Sequence, residues 1–315
     1  MTTLVDNTYD ALLPDDDRTT RASFRVGTAE ALQFEGGETA LGLRAEHGFS
    51  ALVTVRRQGT TTSLLFDAGL SPDAMVVNAD RLGIDVLGVQ GVVLSHGHFD
   101  HVGGLAGMVT RSRGRALPMV VHPVAWTRRR LAVPGSDPWE MPTLSRRSLE
   151  AEGFSLVERR QPSLLVDDCV LITGEVDRTT EFERGMPAAH EAWTGSEWRH
   201  DPDVIDDQAL VVHVRGRGLV VLTGCGHAGA VNIVRHAQRL TGVSTLAALV
   251  GGLHLSGPAF EPVIGPTVEA LTAMAPSLVA PGHCTGWRAQ HALAASLPNA
   301  WTASSSGSSY RINAA

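Results

Sequence analysis

Residues 95–104 read Ser-His-Gly-His-Phe-Asp-His-Val-Gly-Gly and constrain this chain more than any other stretch. The segment follows an apolar run that predicts a buried strand, and it leads into a sequence typical of a helix start. Residues two apart in extended backbone point the same way, so His96 and His98 are placed to hold one cation together. Asp100 and His101, at the turn into the helix, are placed to hold a second. Without a cation these side chains would repel one another or lack partners, so the cluster predicts metal-dependent chemistry.

This motif resembles the His-x-His-x-Asp-His signature of the metallo-β-lactamase superfamily. In that superfamily an Asp at the end of an earlier strand orients the metal-binding histidines, and Asp67, within Leu-Leu-Phe-Asp-Ala-Gly, matches that position. Asp67 is therefore a candidate for the outer partner that fixes the tautomer of a metal-bound imidazole. The resemblance implies the α+β fold of the superfamily, an αββα sandwich with two central sheets flanked by helices.

A second apolar strand ends in a Gly-rich corner that contains Cys225 and His227. Most superfamily members place a metal-bridging Asp near this point, so Cys225 is a departure from the pattern. His227 is predicted to be a ligand, because imidazole suits borderline divalent metals. Cys225 is either a thiolate close to the metals or a small buried side chain. His190 and His200 lie in irregular sequence, so His227 is preferred to them as the third imidazole of the first ion.

A third strand and corner, residues 277–286, contains His283, which matches the C-terminal metal-binding histidine of the superfamily. Cys284 would point away in extended backbone and is predicted to be structural. His254 ends another strand and is a candidate for substrate contact or proton transfer, with a hydrogen-bonded loop histidine as the alternative. Asp100 is also a candidate catalytic residue, as a proton acceptor.

Residues 46–50 and 206–210 narrow the resemblance to one subgroup of the superfamily. That subgroup includes the 7,8-dihydropterin-6-methyl-4-(β-ribofuranosyl)aminobenzene-5′-phosphate synthase of methanogens and many metal-dependent hydrolases. His47 is therefore a candidate residue around the metals. Glu175, in another piece of the subgroup pattern, is equally a candidate for the pocket and for a solvated charge.

Composition excludes several classes of protein. A formal net charge of −7 argues against general nucleic-acid binding, since that affinity depends on Lys and Arg. Apolar runs are too short for a membrane span of about 20 residues, so no membrane association is expected. The acidic residues 1–20 do not resemble a secretion signal, and the three cysteines do not suggest a disulfide framework. Together these features predict a cytoplasmic protein.

The predicted organisation is a flexible N-terminal segment over residues 1–20 and a single domain over 21–315. A loop-rich insertion is predicted at about 125–200, and the serine-rich run at 304–309 is predicted to be a flexible linker. Several tryptophans of the insertion are candidates for lining a pocket, or for anchoring loops: Trp126, Trp139, Trp193 and Trp198. A small-molecule substrate, anionic or aromatic, is therefore expected, whereas no oligomeric state is predicted.

The sequence predicts a metal-dependent hydrolase with two divalent ions, zinc in the first place and manganese or iron as alternatives. One ion is expected on His96, His98 and His227, and the other on Asp100, His101 and His283. In this hypothesis a metal-bound hydroxide attacks an ester, phosphoester or lactone. One alternative is a transferase that couples a pterin pyrophosphate to an arylamine. Another is a non-catalytic metal-binding or redox protein.

Overall fold

The strands and helices below belong to a computed structural model that describes residues 1–112 and 116–315. The strands of the first half are β1 (Thr2–Val5), β2 (Thr19–Thr20), β3 (Thr28–Glu30), β4 (Glu38–Ala40), β5 (Ser50–Arg57), β6 (Thr60–Phe66), β7 (Gly91–Val93), β8 (Leu117–Val121), β9 (Arg129–Leu131), β10 (Trp139–Glu140) and β11 (Phe154–Glu158). Those of the second half are β12 (Ser163–Leu165), β13 (Val170–Ile172), β14 (His190–Trp193), β15 (Trp198–His200), β16 (Leu210–Val214), β17 (Gly218–Thr223), β18 (Leu246–Gly252), β19 (Leu278–Gly282) and β20 (Ser309–Tyr310).

The α-helices are α1 (Ala74–Arg81), α2 (Leu105–Ser112), α3 (Arg146–Ala151), α4 (Ala230–Thr241), α5 (Ile264–Ala273) and α6 (Trp287–Ser296). Short 3₁₀ turns lie at Val86–Gly88, Phe99–His101, Glu261–Val263 and His283–Thr285. Within residues 1–112 and 116–315, no helix combines the length and apolar character that a bilayer crossing requires.

Two large sheets form the centre of the molecule. The first has eight strands in the order β11-β8-β7-β6-β5-β1-β20-β2, and the second has six in the order β12-β13-β16-β17-β18-β19. In the first sheet β6, β7, β8 and β11 run parallel, and in the second β17, β18 and β19 do so. The carboxyl ends of parallel strands lie at the same edge of a sheet, so the corners that follow them are brought together.

Alternating side chains divide the apolar core into layers. In β6, Leu65 packs with helices α1 and α2, whereas Leu64 and Phe66 pack between the two sheets. In β17, Val221 packs against α4, whereas Leu222 joins the core between the sheets. Each sheet therefore has one apolar face against helices and one against the other sheet. The predicted αββα sandwich is confirmed.

The N-terminal residues are part of the first sheet, so the prediction of a flexible segment over residues 1–20 is wrong. β1 pairs with β5 on one side and with β20 on the other, and Leu4 and Val5 are buried. The predicted linker at 304–309 is wrong as well, since residues 304–308 are buried and β20 lies between β1 and β2. Each end of the chain supplies the other's hydrogen-bonding partner, which neither segment reveals by itself.

The insertion at 125–200 is more regular than a loop-rich segment. It contains a sheet of four strands in the order β10-β9-β14-β15, and its strands β12 and β13 extend the second central sheet. These strands have only two to four residues each and include Arg, Glu and Trp, so they lack the alternating pattern that identifies a strand in sequence.

The insertion also fixes the start of α4, the helix that follows the Cys225–His227 corner. The buried Glu183 carboxylate accepts hydrogen bonds from the backbone N–H groups of Val231 and Asn232, both at 2.8 Å. A carboxylate in this position satisfies two free donors and complements the helix dipole. Glu183 of the insertion therefore fixes the helix start that directly follows the Cys225–His227 corner.

Candidate metal centre

The predicted metal ligands converge where strands of the two central sheets end. Asp67 directly follows β6, and the His-x-His-x-Asp-His segment lies just beyond β7. The Cys225–His227 corner lies just beyond β17, and His283 directly follows β19. Asp67 lies beside the candidate ligands. The other three segments, although distant in sequence, supply one buried cluster of imidazoles, a carboxylate and a thiol.

Three imidazole nitrogens define what we call the first subsite, made of His96, His98 and His227. His98 Nδ1 lies 3.0 Å from His96 Nε2 and 3.1 Å from His227 Nε2, and the last two atoms are 3.2 Å apart. Two nitrogens bound to one tetrahedral zinc ion at about 2.0–2.1 Å would be separated by about 3.3 Å. The triangle therefore matches the spacing that a bound cation requires.

The protonation of these rings also fits a cation. All three side chains are buried, and burial lowers the pKa of His96, His98 and His227 well below the ordinary value. A neutral imidazole has one N–H and one lone pair, so three nitrogens facing one point cannot all be paired by hydrogen bonds among themselves. A divalent ion at that point would accept all three lone pairs.

The second subsite consists of Asp100, His101, Cys225 and His283. Cys225 Sγ lies 3.3 Å from His101 Nε2 and 3.2 Å from His283 Nε2. Asp100 Oδ2 lies 3.4 Å from His283 Nε2 and 3.8 Å from His101 Nε2. All four side chains are buried, and their ligand atoms lie within 4.8 Å of one another. One carboxylate, one thiol and two imidazoles are a suitable donor set for a zinc-like ion.

Opposite charges stabilise the second subsite without metal. Burial opposes ionisation of Asp100, but His101 and His283 hold its pKa well below the ordinary value. Burial also opposes a charge on His101, but the carboxylates of Asp100 and Asp67 raise its pKa to about 9. Asp100 and His101 therefore form a buried pair of opposite charges.

Cys225 lies between the two subsites. Its Sγ also falls within 4.8 Å of the ligand nitrogens of His96 and His227, so it is common to both groups. This is the position at which the superfamily pattern has a bridging carboxylate. Burial raises the pKa of the Cys225 thiol, which a bound cation would reverse. The Cys225 side chain is both buried and within the cluster, so its position is compatible with either alternative.

Asp67 orients one ligand of each subsite. Its Oδ2 accepts hydrogen bonds from His101 Nδ1 and from Ser95 Oγ, both at 2.7 Å, and Ser95 Oγ in turn lies 2.8 Å from His96 Nδ1. Gly224 is required beside them, because a Cβ there would lie 2.1 Å from Ser95 Oγ. The predicted outer partner therefore lies where it can fix the tautomers of both rings.

Two residues near the N-terminus hold His283, and sequence reasoning missed both. Asp6 Oδ1 accepts the backbone N–H of His283 at 2.7 Å, and Asn7 Oδ1 lies 3.3 Å from His283 Nδ1. Neither residue belongs to a recognisable motif. The sequence indicates only that two polar residues directly follow the apolar Leu4 and Val5.

The remaining candidates lie beside the two subsites. His47 is largely exposed, and its Nε2 is 3.8 Å from Asp100 Oδ2. The ring of His254 lies 4.2 Å from that of His227, and its ligand atom lies within 4.8 Å of those of Cys225 and Cys284. Its Nδ1 is buried and has no hydrogen-bond partner among residues 1–112 and 116–315. Glu175 pairs with Arg160 and with His122, and it belongs to none of the metal-type groups found in residues 1–112 and 116–315.

Of the two mid-chain histidines, one touches the first subsite from behind. His190 Nε2 lies 3.2 Å from His98 Nε2, on the far side of the His98 ring from the cluster. His200 is exposed on β15 and pairs with the carbonyl of Met186. Neither joins the triangle of nitrogens, in which His227 supplies the third imidazole.

The tryptophans of the insertion have separate surroundings. Trp139 is about half exposed and lies 5.4 Å from Phe99, the residue between His98 and Asp100. Trp193 and Trp198 meet edge to face, with the Arg128 guanidinium over both rings, whereas Trp126 donates a hydrogen bond to Glu158. Trp139 is thus the tryptophan with a direct contact to the metal motif.

Comparisons with known proteins identify the family of this chain. A metal-dependent hydrolase of the β-lactamase superfamily, Tm1679, has a solved structure that matches with a TM-score of 0.70 and 23% identity, covering 99% of this chain and 98% of that one. A 7,8-dihydropterin-6-methyl-4-(β-D-ribofuranosyl)-aminobenzene-5′-phosphate synthase of Methanocaldococcus jannaschii is 25% identical over 252 residues, 78% of this chain and 83% of that protein. An uncharacterized protein of the same organism is 26% identical over 249 residues, 78% of this chain and 86% of that protein. The model of the metallo-β-lactamase superfamily matches residues 44–239, more than half of the chain. The chain belongs to the metallo-β-lactamase superfamily.

Proposed function

We propose that this protein is a metal-dependent hydrolase that cleaves an ester, phosphoester or lactone of a small molecule. The observation that carries the proposal is the pair of adjoining subsites with the Cys225 thiol common to both. Two divalent ions held there, zinc in the first place, would lower the pKa of a bound water and polarise the substrate oxygen.

The side chains around the cluster supply positioning and proton transfer. Asp100 has its Oδ2 directed at the imidazoles of His101 and His283, so it is the carboxylate available to hold the attacking water and accept its proton. His254 borders the first subsite and is only partly buried, so it is the group placed to protonate a leaving oxygen. His47 and Trp139 are exposed at the rim of the cluster, where their side chains can contact a substrate.

A transferase is the second candidate, and one comparison favours it. The archaeal relative that is 25% identical across 78% of this chain is a synthase. In such a reaction an arylamine nitrogen would attack in place of water, and a pyrophosphate group would leave. The same ligands serve both reactions, because in each the ions polarise a substrate oxygen and the difference lies in the nucleophile.

One set of incubations separates the two candidates. The protein loaded with zinc, manganese or iron(II) is incubated with p-nitrophenyl phosphate, bis(p-nitrophenyl) phosphate, an aryl ester and a γ-lactone in ¹⁸O-labelled water. It is also incubated with a pterin pyrophosphate, with and without an aminobenzoate-type amine. A hydrolase incorporates one ¹⁸O into its product regardless of amine.

Two variants serve as controls for these incubations. His98→Ala removes a ligand of the first subsite and should abolish turnover, whereas His213→Ala changes an exposed histidine and should leave it unchanged. Product coupled to the amine, with little ¹⁸O incorporation, would favour the transferase. Neither product with any metal would refute both.

A further inference from the structure

His190, from the insertion, lies directly behind His98. The two Nε2 atoms are 3.2 Å apart, and the rings meet edge to face with 5.3 Å between centroids. Both side chains are buried. His98 directs Nδ1 at the first subsite, so Nε2 is the nitrogen left for an outer partner. A metal-bound imidazole nearly always donates that second N–H to an acceptor, which fixes the ring and its tautomer.

The hydrogen-bond partners determine which ring donates to which. His190 Nδ1 lies 3.0 Å from the carbonyl oxygen of Asp201, and a carbonyl can only accept. In the neutral imidazole that burial favours, the His190 proton is then on Nδ1 and the lone pair on Nε2. His98 Nε2 must therefore donate to His190 Nε2, which leaves the lone pair of His98 on Nδ1, facing His96 and His227.

A buried ion pair holds the acceptor in place. Arg129, on β9, has its guanidinium between two carboxylates, with Nε 3.0 Å from Asp201 Oδ2 and a second contact to Asp206. Asp206 Oδ2 accepts the backbone N–H of Gly97 at 2.8 Å. Arg129 thus connects the residue that supports His190 to the backbone directly before His98.

We propose that His190 is a positioning residue for the first subsite: its Nε2 accepts the Nε2–H of His98, so that the Nδ1 lone pair of His98 points at the bound cation. This inference rests on the proposed metal-dependent function. It gives the insertion a role in building the metal site, in addition to any contact with substrate.

A matched pair of substitutions tests the role of the acceptor. Leu is close to His in size but has no hydrogen-bond acceptor, so His190→Leu should weaken metal binding at the first subsite about 10–100-fold. His190→Gln can accept from His98 through Oε1 and donate to Asp201 through its amide, so it should restore most of that affinity. His200→Leu is the control, because His200 lies in the same hairpin, opposite Glu191, but is exposed and has no contact with His98.

Affinity is measured by competition between the protein and a chromophoric chelator for zinc, which requires no substrate. In the zinc-loaded parent, ¹H–¹⁵N spectra of the histidine rings should show zinc-bound Nδ1 and a slowly exchanging Nε2–H for His98. That N–H signal should persist in His190→Gln and be lost in His190→Leu. Circular dichroism establishes that each variant is folded.

Four results would overturn the proposal. The first two are an unchanged zinc affinity in His190→Leu and an equal loss of affinity in His190→Leu and His190→Gln. The third is that His190→Leu loses one ion per chain and excess zinc does not restore it. The fourth is a spectrum of the parent protein in which the His98 proton is on Nδ1. The parent spectrum decides the matter even if His190→Leu does not fold. Failure to hydrolyse any ester, phosphoester or lactone would refute the proposed function and leave these readouts intact.

Discussion

Asp67 Oδ2 accepts a hydrogen bond from His101 Nδ1 at 2.7 Å, and both side chains are completely buried. The same oxygen accepts from Ser95 Oγ, which contacts His96 Nδ1. One carboxylate therefore sets the ring orientation of a ligand in each subsite, and removing its acceptor atom should affect both ions.

Asp67→Asn tests this arrangement with little change in shape. Asn tolerates the left-handed backbone of this position, where φ is +56°, but its amide can present N–H groups to the rings where Oδ2 now accepts. We expect metal affinity to fall about 10–100-fold, because the lost contact is an outer one. Competition with a chromophoric chelator for zinc measures this affinity. Asp73→Asn, at an exposed ion pair with Arg44, should have no effect; an equal loss in both variants would contradict the prediction.

The two subsites should lose their ions independently. His227→Ala removes a nitrogen of the first subsite and Asp100→Asn weakens the second, so each variant should retain one ion fewer per chain and lose turnover while remaining folded. Elemental analysis after dialysis gives the count. His200→Ala should keep the parental count, and His190→Ala should keep it when zinc is supplied in excess, because the lost contact with His98 weakens binding without removing a ligand. Loss of an ion in either of those, with full occupancy in His227→Ala, would move the third imidazole ligand into the insertion.

Proton release should reveal whether the Cys225 thiolate binds metal. His101 is protonated at pH 7.5 because Asp100 and Asp67, against the effect of burial, raise its pKa to about 9, and burial raises the pKa of Cys225. Filling the second subsite must then displace one proton from His101 and a second from Cys225 if sulfur coordinates. Affinity for the second ion should accordingly increase with pH, and the increase should become less steep above about pH 9, where His101 has no further proton to release.

Calorimetry of zinc binding in buffers of different ionisation enthalpy counts these protons. We expect two for the second ion in the parent protein and one in Cys225→Ser, with Cys169→Ser as the control. The cobalt-loaded parent should show a sulfur-to-metal absorption band that Cys225→Ser lacks. A single proton released by the parent, with no such band, would remove Cys225 from the ligands.

Asp207 should make the stability of the metal-free protein depend on pH. Its Oδ2 accepts the backbone N–H of Ala228 at 2.8 Å, and its Oδ1 has no hydrogen-bond partner among residues 1–112 and 116–315. Burial raises its pKa from 3.8 to about 7. The folded protein therefore keeps this proton over a range in which the unfolded chain has lost it. The resulting stabilisation is fully present below about pH 4 and is lost as pH rises to about 7.

Asp207→Asn stays neutral throughout that range and should abolish this part of the dependence. At about 1.4 kcal/mol per pKa unit the effect is on the order of 4 kcal/mol. Urea unfolding of parent and variant at pH 4.5 and 7.5 measures it after metal removal. Asp137→Asn, on the exposed surface, should follow the parent. If the parent and Asp207→Asn have the same slope, Asp207 is ionised in the folded protein.

The metal cluster could be predicted from sequence because its information is local. Each ligand lies in a corner directly after an apolar strand, and the spacing of His96, His98 and Asp100 fixes their relative directions. The sandwich was implied by the resemblance to the superfamily that these motifs carry. Cys225 was left open, because a buried packing thiol and a bridging thiol have the same sequence context.

The supports of the cluster could not be predicted, because they depend on contacts between distant segments. Asp6 holds His283 across 277 positions, and His190 reaches His98 across 92. The strand that carries His190 is short and polar, so its alternation is too weak to identify. Such residues become visible only when the sheets are assembled.

Asp6 and His283 are 277 positions apart, and this separation affects the order in which the parts of the metal centre form. Asp6 accepts hydrogen bonds from the His283 backbone and from Ser304, so the second subsite is complete only after both ends of the chain have met. Contacts between residues this far apart form slowly, because a long loop must close before they stabilise anything. The ligands of the first subsite all lie between His96 and His227. During refolding in scarce zinc the chain should therefore capture its first ion early and accumulate as a singly loaded intermediate.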